Sequence, residues 1–236
     1  MAAGARTDPA DVAAVAEAIT LATAEAAVRL RGTGQPVASI FGLSTEVGLD
    51  DLPETATVLR RVRANNWDAW LGLARDGVLQ IPGRDPVERP DLVRPFDLVG
   101  FSYYATVGVA QGRVVPYPAG EPVSAMGYVP WAEGLGLVLR RLHEELPGQP
   151  LLVAEYGIGT DDDALRAAYL RKGLDVTLAA VAAGVDVRGF FHWTAVDNYE
   201  WLHGYDVAFG LIDRDRAVRP SAQVLADEAL RAASSG

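Results

Sequence analysis

Apolar residues recur at helical spacing from Val12 to Leu30 (Val12, Val15, Ile19, Ala22, Ala26, Leu30), which predicts a first helix. Thr7-Asp8-Pro9 suits its start and Gly32-Thr-Gly34 its end. The pattern then changes to short continuous apolar runs. Val37–Leu43 predicts a buried strand with Ser44-Thr-Glu46 at its C-terminal end, Phe96–Tyr104 a second, Leu151–Glu155 a third and Val187–Trp193 a fourth. Between them lie helical stretches: most of 52–79, then Pro130 to about Leu146, then a helix behind Asp161-Asp-Asp163 running to about Ala183. Ser221–Ala232 predicts the last helix. Residues 80–96, with four prolines, predict irregular connection, and 108–129 a loop holding a small hairpin around Gly112.

One helix followed by four strand–helix units, with strands apolar along their whole length, predicts a parallel sheet with crossover helices, buried on both faces. No linker or internal repeat divides the chain, so residues 1–236 are expected to form a single unit. In such folds ligands bind at the C-terminal ends of the strands. The fourth strand opens there into Trp193-Thr-Ala-Val-Asp-Asn-Tyr-Glu200-Trp201, and the third ends on Glu155. Flat indoles beside acceptors suit a sugar: the apolar faces take its C–H side and the carboxylates its hydroxyls.

Composition narrows the choice. A net charge of −10 argues against nucleic-acid binding, and no apolar run is long enough for a membrane span. The chain has no cysteine and no apolar signal core at its N-terminus, which fits a cytoplasmic location. Three motifs lead nowhere. Gly157-Ile-Gly159 meets Asp162 where a dinucleotide fingerprint needs glycine, and Gly100-Phe-Ser102-Tyr-Tyr104 lacks the closing glycine of a nucleophile elbow. Asp161-Asp-Asp163 is better explained as a helix start than as a calcium loop, and His143, His192 and His203 have no metal-ligand spacing.

Four segments in order resemble the C-terminal portion of glycoside hydrolase family 1, the β-glucosidase family. Val153-Ala-Glu155-Tyr-Gly157 is similar to its I/V-T/A-E-N-G run at barrel strand 7. Trp193–Trp201 with Gly204–Leu211 resembles the strand 8 signature W-S-L-x-D-N-F-E-W and G-Y-x-x-R-F-G-L. Asp97–Tyr104 resembles D-F-x-G-x-N-Y-Y of strand 6, and Met126–Leu135 the M-G-W-x-x-x-P-E-G-L helix entry.

The resemblance implies a (β/α)8 TIM barrel of which strands 5 to 8 are present, and a retaining β-glycosidase without metal or cofactor. It implies that Glu155 is the nucleophile and that Tyr104 orients it. Trp193 would floor the sugar subsite, Glu200 and Trp201 would bind hydroxyls, Phe209 would close the pocket, and Ser102 stands where the strand 6 Asn is usual. A carboxylate at Glu200 favours neutral sugars over phosphosugars. The family's general acid lies in a T-F-N-E-P run, and no Asn-Glu-Pro occurs here; Glu46 is the only substitute the first strand offers. Without that acid the chain is expected to hydrolyse little alone. Three explanations stay open: a piece of a longer enzyme, a half that assembles with an N-terminal half-barrel or with itself, and a sugar-binding remnant.

Overall fold

A computed structural model of the chain describes residues 8–234. Helix α1 (Pro9–Arg31) starts behind Asp8, whose carboxylate accepts the Ala10 N–H at 2.8 Å. There follow β1 (Phe41–Gly42), β2 (Glu46–Gly48), α2 (Pro53–Arg63), α3 (Ala69–Asp76), β3 (Val78–Leu79) and β4 (Val87–Glu88). The second half holds β5 (Val99–Tyr103), β6 (Thr106–Ala110), β7 (Arg113–Tyr117), α4 (Glu133–Glu145), β8 (Leu151–Tyr156), α5 (Asp163–Ala182), β9 (Val187–His192) and α6 (Ala222–Ser234).

The main sheet has the order β1-β5-β8-β9 and every pairing in it is parallel. Helices α4 and α5 make the β5–β8 and β8–β9 crossovers, and α2 and α3 lie in the one from β1 to β5, as parallel pairing of consecutive strands requires. On the helix side Phe101, Tyr103, Val153 and Tyr156 meet Leu135, Val138, Leu139 and Leu142 of α4, all of them fully buried. Each such side chain contributes roughly 1.5–3 kcal/mol. Among the described residues the sheet's other face is partly open: Phe191 of β9 is 57% exposed and Ile40, just before β1, 66%. Burial on both faces, predicted from the unbroken apolar runs, is therefore met on one face only. The outer strands β1 and β9 each pair with one neighbour.

Three local features depart from the sequence pattern. The first strand shrinks to Phe41–Gly42, with Ala38 joined to Leu98 by an isolated bridge. Glu46–Gly48 leaves the main sheet and pairs with β6 in a separate three-stranded sheet, whose β6–β7 hairpin turns on Gln111 and Gly112, both at positive φ. That turn fits the right-handed twist of the hairpin and explains the glycine. Between α2 and α3 the helix widens to a π turn at Ala64–Asp68. The widening turns Trp67 fully inward, where its indole N–H reaches the Ser44 carbonyl at 2.8 Å. Among the described residues no helix is long and apolar enough to cross a membrane.

Candidate active site

Strand β8 carries a bulge that aims its carboxylate. Phe101 pairs with Val153, but the next residue, Ser102, pairs with Glu155, so Ala154 is extra. Tyr156 then turns into the core, stacked on Tyr169 at 4.5 Å with its hydroxyl on the Tyr169 carbonyl at 2.9 Å. Its neighbour Glu155 is thereby turned to the open face.

Tyr104, just past the end of β5, donates its hydroxyl to Glu155 Oε2 at 2.7 Å. Two rings flank it, Tyr128 at 6.1 Å and Phe209 edge-on at 6.2 Å. Burial holds the Tyr104 hydroxyl far above its ordinary pKa, and donation to Glu155 adds to this, so it is a fixed donor at neutral pH. The charge of Glu200 acts on the Tyr104 hydroxyl in the same direction. Glu200 Oε1 in turn accepts the indole N–H of Trp193 at 3.2 Å.

Trp193 is tied to the same strand end, since its N–H reaches the Tyr156 carbonyl at 3.0 Å. Only glycine fits opposite it. A Cβ on Gly157 would overlap the Trp193 carbonyl oxygen, which is backbone and has nowhere to go. Gly157→Ala is therefore expected to cost about 3 kcal/mol, the upper end of ordinary overpacking. Gly42→Ala, with no atom within 4 Å of the added methyl, is the control expected to stay within about 0.5 kcal/mol. Urea denaturation of the pair measures the contrast.

The segment after Trp193 is pinned by charge. Asp197 makes a two-pronged pair with Arg219, at 2.6 and 3.0 Å, and also accepts the Gly210 N–H at 2.7 Å. Burial works against the Asp197 anion, yet these hydrogen bonds prevail and hold its carboxyl below the ordinary range. Beneath it the buried Arg166 binds Asp163, the Thr160 carbonyl and the Ala208 carbonyl.

The structure brings Glu155, Tyr104, Phe209, Trp193 and Glu200 together. The other two residues singled out in the sequence stand apart from that cluster. The Ser102 hydroxyl lies beside Glu155 in register but bonds the Phe41 carbonyl at 3.4 Å. Trp201 stands at the tip of a turn closed by Glu200 and Gly204, 91% exposed. Glu46 is turned away from the site: its side chain is 3% exposed in the helix layer, held by Arg63 of α2 at 2.6 Å with Arg141 of α4 at 3.8 Å. Tyr128, His192, Arg166 and the Asp197–Arg219 pair were not singled out as site residues. The signature residues around Asp197 were the only signal that could have led to that pair. Among the described residues no three His, Asp or Glu side chains are placed to hold a metal.

The model of glycosyl hydrolase family 1 matches residues 87–227, which include every residue of this cluster. The bifunctional β-D-glucosidase/β-D-fucosidase of Bifidobacterium breve is 33% identical over 153 residues, 51% of this chain and 33% of its own length. The β-galactosidase of Saccharolobus solfataricus is 30% identical over 210 residues, 80% of this chain and 42% of its own. The chain thus spans between a third and about two-fifths of the length of these relatives. The β-glycosidase from Thermosphaera aggregans superposes with a TM-score of 0.76 at 27% identity, over 92% of this chain and 48% of that one. The β-glucosidase from Thermotoga maritima in complex with glucoimidazole has the same fold, with a TM-score of 0.76 at 22% identity over 91% of this chain and 56% of that one. The chain belongs to glycosyl hydrolase family 1, and its parallel sheet is a C-terminal portion of that family's (β/α)8 barrel.

Proposed function

We propose that the chain carries the nucleophile half of a retaining β-glycosidase site for β-glucosides or related neutral glycosides. The observation that carries this reading is the 2.7 Å hydrogen bond from Tyr104 to Glu155 beside the Trp193–Glu200 pair. Glu155 attacks the anomeric carbon as an anion, its C–O bond forming as the bond to the leaving group breaks. Tyr104 holds that anion in line. Trp193 takes the apolar face of the ring, and Glu200 accepts sugar hydroxyls. Phe209 closes the inner wall. Trp201, exposed at its turn, and Ser102, whose hydroxyl bonds the Phe41 carbonyl, are assigned to the subsite by the family resemblance alone, Trp201 as an indole N–H donor to a hydroxyl.

Retaining hydrolysis needs a second carboxyl group about 5–5.5 Å from the nucleophile. We assign it to a complementary N-terminal half-barrel, which also covers the open face at Ile40 and Phe191 and the free edges of β1 and β9. The chain alone should therefore react only where the leaving group needs no proton.

A 2-deoxy-2-fluoro glucoside with a dinitrophenolate leaving group tests this. An adduct on the peptide holding Glu155, with no turnover of an unactivated disaccharide, is the expected result. Saturable sugar binding without an adduct would leave only a binding module. Disaccharide hydrolysis by the pure chain would overturn the half-site reading. Tyr104→Phe is expected to slow adduct formation roughly tenfold to a hundredfold, the scale of a misaimed reacting group, as read by mass spectrometry over time.

A further inference from the structure

Phe209 is gripped from behind through three consecutive peptide units. The Ala208 carbonyl accepts from Arg166 at 3.1 Å and from the Thr160 N–H at 2.9 Å. The Phe209 carbonyl faces His192 Nε2 at 3.1 Å. The Gly210 carbonyl accepts from Arg219 at 2.6 Å, and its N–H is held by Asp197. The Phe209 ring, 3% exposed, is wedged between Gly159 and the Tyr104 ring, to which it is nearly perpendicular; a Cβ on Gly159 would already lie 3.0 Å from it.

His192 is the member of this grip whose hydrogen position is not fixed by its chemistry. A carbonyl only accepts, so Nε2 must carry the proton. Nδ1 is then a bare lone pair, and it is buried without a partner. The Tyr156 carbonyl is also near the ring and acts on it as an acceptor, but no contact of Nδ1 reaches hydrogen-bond geometry, so the 3.1 Å contact with the Phe209 carbonyl decides for Nε2–H. Burial, reinforced by the Arg166 guanidinium and opposed by the Phe209 and Tyr156 carbonyls, keeps the imidazole neutral, with its pKa lowered to about 4.

We propose that His192 is a positioning residue for the Tyr104–Glu155 pair: its neutral Nε2–H tautomer fixes the Phe209 backbone, and the Phe209 ring keeps the Tyr104 phenol on the carboxylate. The kinetic consequence rests on Glu155 being the nucleophile; the tautomer and the ring contact do not.

Three measurements test the proposal. In the wild-type chain at pH 7, 15N NMR of the histidine rings should give His192 as the Nε2–H tautomer; an Nδ1–H or averaged tautomer overturns it. His192→Gln and His192→Asn are both neutral amides, but only Gln places its N–H where Nε2 stands. Gln should keep the Tyr104–Phe209 ring-to-ring NOE and most of the labelling rate with the 2-fluoro glucoside. Asn should lose the NOE and label roughly tenfold more slowly. Equal behaviour of the two variants overturns the proposal. If even the wild-type chain is not labelled, the nucleophile reading fails separately, and the tautomer and NOE still decide the role of His192.

Discussion

Glu155→Gln is expected to abolish covalent capture of an activated 2-fluoro glucoside, slowing it by roughly 10⁴-fold or more, while leaving stability within about 1 kcal/mol. The amide has the shape of the carboxylate, and its carbonyl oxygen still accepts the Tyr104 hydroxyl, so no buried donor is stranded. What disappears is the anion that attacks the anomeric carbon. The size of the loss separates roles within the cluster. Tyr104→Phe keeps the anion and loses only its aim. Glu200→Gln keeps both and weakens the grip on hydroxyls, so it should raise the glucoside concentration needed for half-maximal labelling more than it lowers the limiting rate. Mass spectrometry over a concentration series reads both quantities. A Glu155→Gln loss no larger than that of Tyr104→Phe would mean that the adduct forms on another side chain.

The sheet was legible because its signal is local. Each of the four parallel strands lies in a mainly apolar run, and its ends fall within three residues of that run's limits, except at β1. There the run Val37–Leu43 predicts seven residues, but a continuous ladder with β5 forms only at Phe41–Gly42, preceded by the isolated Ala38–Leu98 bridge. The departure of Glu46–Gly48 into a second sheet had no local mark, because its partner lies some 60 residues later in β6. Contacts of that kind also hide most of the site. Tyr104 and Glu155 are 51 positions apart, and nothing in their spacing puts them in reach; only the resemblance paired them. His192 reads from its position simply as the strand residue facing away from Trp193. Its contact with the Phe209 carbonyl depends on the return of a loop 17 residues on. Charges such as Arg166 and Arg219 look like ordinary surface residues until folding encloses them.

That enclosure makes Asp197→Ala the most damaging change expected for stability, at about 3–5 kcal/mol. Removing the carboxylate strands Arg219, which is 21% exposed at its side chain, and frees the Gly210 N–H as well. Breaking one side of such a pair costs more than the pair contributes, because the remaining charge stays desolvated. The double variant Asp197→Leu with Arg219→Met should therefore recover part of the loss, and failure to recover any would show that the Gly210 N–H, not Arg219, dominates. The pH dependence separates this pair from His192. The Asp197 carboxyl is lowered in the folded chain, so its contribution is present above the unfolded value of about 3.9 and fades as pH falls through the lower folded value. His192 behaves differently, because unfolding exposes an imidazole that takes a proton near pH 6.5, while the folded one resists until about 4. Wild-type stability should thus fall between pH 6.5 and 4 by up to about 3 kcal/mol, before the contribution of Asp197 begins to fade. In urea titrations from pH 7 down to about 3, His192→Gln should remove the upper slope and leave the acid slope unchanged. Asp197→Ala should keep the upper slope and make the acid slope shallower, the remainder coming from other lowered carboxyls such as Asp163.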